Sequence, residues 1–352
     1  MAAPRPRLSI VVINYNYAHF LPRSLSSALD QDAPGVEVIV VDDVSTDNSR
    51  EVIAGFGDRV TAVLHPENRG HGGGMNSGFA AARGDLVLFL DADDYLHPQA
   101  ARRILEQQAD GVAQYQYRLD LVDADGTKID VFPPWEVAWD DGDVRETVLS
   151  SGRYATTVTS GLAFSRKALE QILPMPEASF RQAGDGYLVT VAPLHGSVAS
   201  IDEVLGSYRQ HGGNHSQFAG AVAQRARWRA AQDQMRYDAL RDHAGRVGLA
   251  FDPELWRRDM YHLEERMASL LLDPKQHPYA GDRRASLARC GLASCRLMRV
   301  SLRRRLTMQL WWLAMGFGPP PVARAAVSWK LQVATRPQFV RLIAKGFRRA
   351  TS

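Results

Sequence analysis

Four apolar runs of strand length lie in the first ninety residues, each separated from the next by a stretch of helical character. That alternation restricts the fold more than any other feature of the chain. The runs are Leu8 to Ile13, Val36 to Val41, Val60 to Leu64 and Leu86 to Leu90. Phe20, Leu21, Leu25, Ala28 and Leu29 follow helical spacing between the first two, and Glu51 to Ile53 start a helix that Asp47 or Asn48 can cap. A glycine-rich segment leads into a further helix ending near Arg83-Gly84. Strands so continuously apolar are expected to be buried on both faces, and helical crossovers imply a mostly parallel sheet. The reading is a doubly wound α/β domain, in which ligands bind beyond the carboxyl ends of the strands.

The second half reads differently. From Gln114 to about Tyr208 the pattern is mixed, and after Ser216 strands give way to helical periodicity. Leu255, Trp256, Met260, Leu263, Met267, Leu270 and Leu271 predict one apolar helical face. Two regions are therefore expected, 1–216 and 217–352, the second helical and basic.

Carboxylates cluster where the strands end. Asp91-Ala92-Asp93-Asp94 follows directly on Leu90, and two carboxylates two residues apart suit a hard divalent cation that keeps positions open for phosphate oxygens. An Asp-rich loop turning the chain toward His97-Pro98 is the plainer alternative. Val41 to Asp47 (VDDVSTD) closes the second strand with further acids, which can accept from a base N–H or a ribose hydroxyl. In Glu67 to Gly78 (ENRGHGGGMNSG) the glycines allow close backbone approach to a ligand and Arg69 can meet a phosphate. The alternative there is a flexible turn before a helix.

Taken in order, SIVVINYN at Ser9 to Asn16, VDDVSTD, ENRGHGGGMNSGFAAARGD, LDADD, AGDGYL at Ala183 to Leu188 and YRQHGGNHS at Tyr208 to Ser216 resemble family 2 glycosyltransferases of GT-A fold. The resemblance covers residues 8 to about 216. It implies a nucleotide-diphosphate sugar donor, with Tyr15, Asn16, Asp42 and Asp43 toward the base, Arg69 and Asn76 along the donor, and Asp91 at the ribose. It also implies Mg²⁺ or Mn²⁺ held by Asp93 and reached by His211, with Asp185 as general base. The chemistry agrees: a departing diphosphate needs its growing charge neutralised, and an acceptor hydroxyl needs a carboxylate within reach. A metal carboxylate and a base carboxylate on opposite sides of the sugar give displacement with inversion.

Three positions depart from the family pattern: Ile13 replaces a proline, Val44 replaces a glycine, and Gly184 stands where a glutamate usually precedes Asp185. Val44 is expected to sit in extended backbone. Asp202 and Glu203, the acids nearest after Asp185, are expected on a surface turn. The tetrad Gln224-x-x-Arg227-Trp228 matches a pattern of processive polysaccharide synthases, but it also fits a basic amphipathic helix from Gln224 to Arg236, the reading preferred here.

Charge is segregated. From Arg283 to Ser352 there is no Asp or Glu, and this stretch includes Arg303-Arg304-Arg305. Beside that run, Leu306, Met308, Leu310, Trp311, Trp312, Leu313 and Phe317 predict a monotopic membrane element, with tryptophans at the interface and arginines toward anionic headgroups; the alternative is that Trp311 and Trp312 pack against the catalytic domain and the arginines form a solvated face. No DNA- or RNA-reading motif accompanies the basic charge, so nucleic acid is not expected as a partner. The apolar patch is too short to span a bilayer, the N-terminus lacks the order of a signal peptide, and Cys290 and Cys295 make no disulfide framework. The expectation is a cytoplasmic enzyme on the inner membrane face, building a cell-surface polysaccharide or glycolipid on a glycan or lipid-linked acceptor. A sugar-phosphate nucleotidyltransferase would need a Gly- and Arg-rich signature that Leu8 to Asn16 does not offer. A catalytically degenerate nucleotide-sugar-binding scaffold is the other alternative, suggested by Gly184 and Val44.

Overall fold

A computed structural model describes residues 6–211, 222–297 and 300–331. Contacts divide the chain into two compact units. One comprises Met1–Val148, Tyr154–Gln217 and Asp238–Ala250, and the other Leu149–Arg153, Phe218–Tyr237 and Phe251–Ser352.

The first unit is built on a sheet. β1 (Leu8–Asn14), β2 (Val36–Asp42), β3 (Thr61–Leu64) and β4 (Leu86–Asp91) lie in the order β3-β2-β1-β4, all parallel. Their crossovers are α1 (Leu21–Leu29), α2 (Ser49–Phe56) and α3 (Gly70–Ala81). Every residue of β1 is buried, because the strand has neighbours on both edges and layers on both faces. β3 breaks the expectation of two-sided burial. It is the edge of the sheet, and Leu64 is half exposed.

Beyond β4 come β5 (Tyr95–Leu96), α4 (Ala100–Glu106), β6 (Val112–Val122), β7 (Lys128–Phe132) and α5 (Arg145–Ser151). They are followed by β8 (Leu162–Ser165), α6 (Arg166–Ile172), α7 (Glu177–Phe180), α8 (Gly184–Val191) and β9 (Ser197–Arg209). Antiparallel β8 is inserted between β4 and β6, and β9 then runs parallel to β6. β1, β2, β3, β4, β6 and β9 thus point the same way, and the sheet is mostly parallel. Asp202 and Glu203 are not on a turn. They lie within β9, where pairing jumps from Tyr117–Ile201 to Arg118–Val204 and pushes both out as a bulge. Asp202 accepts from Arg118 Nε at 2.7 Å, and Glu203 pairs with Arg103, so both acids are engaged far along the strand from its carboxyl end.

α9 (Val222–Arg246) follows the closing strand, and the helices of the second unit are α10 (Met260–Leu272), α11 (Arg284–Leu297), α12 (Leu302–Phe317) and α13 (Pro320–Leu331). Leu263, Met267, Leu287, Ala288, Trp312 and Ala326 form its core. The apolar face expected from Leu255 to Leu271 is interrupted. Asp259 caps α10 by accepting from Tyr261 N and His262 N, which separates a short 3-10 turn at Leu255–Arg257 from the helix. Arg227 and Arg229 pair with Asp273 and Glu265, so ion pairs hold this stretch of α9. Trp312 is fully buried with its indole N–H on Met260 Sδ at 3.1 Å, which removes it from the expected membrane face. Among the described residues no helix is long and apolar enough to cross a membrane.

Candidate active site

Register brings the polar ends of the strands together. Asn14 lies opposite Asp42, and Ile13 opposite Asp91, so β1, β2 and β4 deliver their polar residues to one edge. β1 has β2 on one side and β4 on the other, so this edge is where the strand order reverses, the position at which such sheets open a ligand crevice.

Two loops of that crevice are clipped to each other. Asn14 Nδ2 donates to Asp42 Oδ2 at 2.9 Å and to Ser45 Oγ at 3.1 Å. Asn16 N donates to Ser45 Oγ at 2.9 Å, Thr46 N to Asn16 Oδ1 at 2.7 Å, and Ala18 N to Asp47 Oδ2 at 2.9 Å. Asp47 also accepts from Ser49 N at 3.0 Å and so serves the start of α2, whereas Asn48 makes no side-chain cap. Burial pushes the Asp42 carboxyl up, but hydrogen bonds from Ser45, Arg50 and Asn14 outweigh it and hold the group below the usual carboxylate range. Tyr15 stands exposed in the loop that follows β1. Both loops carry left-handed backbone, at Asn16 (φ 59°) and Val44 (φ 64°). Asparagine tolerates that conformation, but for β-branched Val44 it is strained, and the expectation of an extended turn there is overturned.

Asp43 does structural work that its motif does not reveal. Its carboxylate accepts from Arg69 N and Gly70 N, each at 2.7 Å, at the N-terminus of α3, and from His65 Nδ1 at 2.7 Å. His65 Nε2 lies 2.8 Å from Ser77 Oγ, on the same helix. The glycines expected to open the backbone to a ligand are instead the packing surface of α3, which begins at Gly70 itself. A Cβ on Gly74 would stand 2.9 Å from Ile13 Cγ2, one on Gly72 would stand 2.6 Å from Phe180 O, and one on Gly78 would collide with Val11. The helix therefore lies directly on β1. Gly184 belongs to the same contact: a side chain there would meet Met75 Sδ at 2.8 Å and the backbone of Gly72. A glutamate there, as in the family pattern, would require Met75 and the backbone of Gly72 to shift.

Arg69 and Asn76 both turn toward Glu177, a residue that no motif singles out. Arg69 Nε donates to Glu177 Oε2 at 3.0 Å and its Nη1 to Ser77 Oγ at 2.9 Å. Asn76 exchanges hydrogen bonds with Met175, Nδ2 to the carbonyl at 3.0 Å and backbone N to Oδ1 at 2.9 Å, and also donates to Glu177. The buried amide of Asn76 thus fastens the segment before α7 onto α3. About one hundred residues separate these partners, and no local pattern could announce them.

The acidic centre follows β4. Asp91 Oδ1 lies 3.1 Å from His71 Nε2, and Asp93 Oδ2 lies 2.9 Å from His211 Nε2. Asp94 accepts from Ser160 Oγ at 2.6 Å and from Arg209 N at 2.8 Å. Burial, then the neighbouring acids, push the Asp94 carboxyl well up, and burial likewise raises Asp93. Burial disfavours protonation of His71, but Asp91, and behind it Asp185 and Asp93, more than compensate and raise its pKa. Asp185, in the first turn of α8, therefore belongs electrostatically to this cluster. Tyr17 and Phe20 pack on the His211 ring with centroids 5.5 and 4.9 Å away. Among the described residues no three His, Cys, Asp or Glu side chains converge as a cage for a metal ion.

Comparison with known proteins fixes the family. The model of glycosyl transferase family 2 matches residues 9–173. An uncharacterized glycosyltransferase of Nostoc sp. is 33% identical over 261 residues, covering 72% of this chain and 81% of that one. The chain belongs to glycosyltransferase family 2. The succinoglycan biosynthesis protein ExoO of Rhizobium meliloti is 39% identical over 135 residues, which is 38% of this glycosyltransferase and 39% of ExoO. The Staphylococcus aureus TarS fragment 1–349, solved in complex with UDP-GlcNAc, superposes with a TM-score of 0.52 at 15% identity, covering 93% of this chain and 92% of that one. The fold of this family 2 glycosyltransferase is accordingly the GT-A fold, with a helical C-terminal region.

Proposed function

We propose that this glycosyltransferase takes a hexosyl group from a nucleotide-diphosphate sugar, with inversion, and passes it to an acceptor hydroxyl in the assembly of a cell-surface polysaccharide or glycolipid. The observation that carries this reading is the contact of Asp93 with His211 just past β4, the strand that brings Asp91 to the edge where the strand order reverses. The sugar-nucleotide complex of the TarS fragment and the polysaccharide role of ExoO support it.

Tyr15, Asn16, Asp42 and Asp43 would line the base side of the donor, with Asp91 at the ribose. Arg69 would face the donor after exchanging part of its contact with Glu177. Asp93 and His211 would hold Mg²⁺ or Mn²⁺. Their donor atoms lie 2.9 Å apart, close to the roughly 3.0 Å between adjacent ligands on an octahedral ion with bonds of about 2.1 Å. Two protein ligands leave positions for diphosphate oxygens, as such ions prefer. The ion would neutralise charge on the departing diphosphate. Asp185 would take the acceptor proton, and no covalent intermediate is needed. Pocket shape sets the base and the sugar of the donor.

We further propose that the enzyme works against the inner face of a membrane, where lipid-linked acceptors reside. The absence of Asp and Glu after Asp282 supports that placement.

The deciding experiment titrates the protein with UDP, GDP, dTDP and CDP, with and without Mn²⁺, comparing wild type with Asp93→Ala. Metal-dependent binding of one nucleotide, abolished by the substitution, supports the donor site; no binding under any condition sinks it. A degenerate scaffold is the second reading, favoured by Gly184 beside the base. It predicts donor binding without turnover and no effect of Asp185→Asn on the glycan.

A further inference from the structure

Helix α12 is apolar on two faces, and among the described residues only one of them packs into the core. Ser301 starts the helix by accepting from Arg304 N at 3.3 Å. Trp312 and Met315 then point into the core of the second unit, and Gly316 comes so close to Ala288 of α11 that any side chain there would collide. Leu302, Leu306, Leu310, Leu313 and Phe317 recur at intervals of four, four, three and four residues, which places them in one row along the helix. They are 68, 51, 66, 45 and 55% exposed. Val322, half exposed at the start of α13, extends the row past the turn at Gly318.

Single exposed leucines need no explanation, but a continuous row over the whole length of a helix does. The charge exposed on α11, α12 and α13 says what would cover it. Arg303 and Arg304 stand exposed at the start of α12, and Arg289 and Arg296 of α11 and Arg324 of α13 are exposed as well. From Arg283 to Leu331 no acidic residue offsets them. A second copy of this face would bring arginines against arginines, whereas anionic lipid supplies both missing partners. Headgroups meet the guanidinium groups and acyl chains meet the leucines.

We propose that α12 docks this glycosyltransferase on an anionic bilayer, lying in the plane of the interface with Leu302, Leu306, Leu310, Leu313 and Phe317 inserted. Lipid contact thus passes to the leucine row, and buried Trp312 holds the helix from behind. The inference rests on the membrane placement proposed above and gives it a residue-level surface.

The test is co-sedimentation of the full chain with vesicles of phosphatidylcholine alone and of phosphatidylcholine with one-quarter phosphatidylglycerol. Wild type is compared with Leu306→Glu/Leu310→Glu and with Ile129→Glu, the same chemical change at an exposed site on β7. Melting temperature and nucleotide binding confirm that each variant is folded. Expected are binding to the anionic vesicles that weakens with salt, a loss of at least about tenfold in the double variant, and none with Ile129→Glu. Equal binding by the double variant overturns the leucine row while leaving membrane placement intact. No binding by wild type removes both. A concentration-dependent dimer that the double variant abolishes, without vesicle binding, assigns the face to a second copy instead.

Discussion

Asp93 and His211 lie 118 positions apart in the chain and meet at 2.9 Å, each almost wholly buried. β4 delivers the aspartate, and the histidine follows the last residue of β9 by two. Arg209 fastens the two segments, donating from Nε to Asp93 O at 2.8 Å. Replacing Asp93 with Ala should abolish metal-dependent nucleotide binding and lower turnover by about a hundredfold or more. Replacing His211 should weaken the apparent Mn²⁺ affinity by about tenfold to a hundredfold, with full activity recovered at high metal. Nucleotide binding unaffected by both changes, with and without Mn²⁺, would show that the pair holds no ion.

Asn76 was assigned to the donor by resemblance, but its amide is committed to Met175 and Glu177. Asn76→Ala leaves buried backbone groups of Met175 unpaired, which should destabilise the protein by about 1–3 kcal/mol. Melting with and without donor nucleotide separates the roles. A fall in melting temperature at unchanged nucleotide affinity fits the fastening of α3, and the reverse pattern restores the donor role.

Val44 stands at φ 64° in a loop whose next residue, Ser45, accepts from Asn14 Nδ2 and Asn16 N of the facing loop. Val44→Gly relieves a strain of about 1–2 kcal/mol, partly offset by the entropy of a glycine in the unfolded chain. The variant should melt a few degrees higher and bind nucleotide more weakly if the strain pre-orders the loop. A lower melting temperature contradicts the strain argument.

A buried relay joins Tyr187, His243 and His195, with Tyr187 Oη 2.9 Å from His243 Nε2 and His243 Nδ1 2.8 Å from His195 Nε2. Burial, Arg246 and His195 hold the His243 pKa down at about 4, and burial also lowers His195. A depressed histidine contributes stability that is complete above the unfolded value of about 6.5 and is lost as pH falls through the folded value. Between pH 7 and pH 4.5 the wild type should therefore lose about 2 kcal/mol more stability than His243→Gln. Denaturant unfolding at the two pH values measures the difference; parallel losses would show that His243 titrates normally.

The doubly wound half was legible because burial on both faces leaves an uninterrupted mark: Leu8 to Ile13 and Leu86 to Leu90 read as strands and are strands. The position of Asp91 at a strand end followed from the same pattern, since the sheet stops where apolar character stops. Long-range pairing left no such mark. Glu177 reaches Arg69 and Asn76, Gly184 fits against Gly72, and β8 enters the sheet antiparallel, all through contacts between segments distant in sequence. In α12 the sequence showed an apolar segment bordered by arginines. Only packing decided that Trp312 turns inward and the leucine row outward, because a helix apolar on two sides is chosen by the shape of the core it meets.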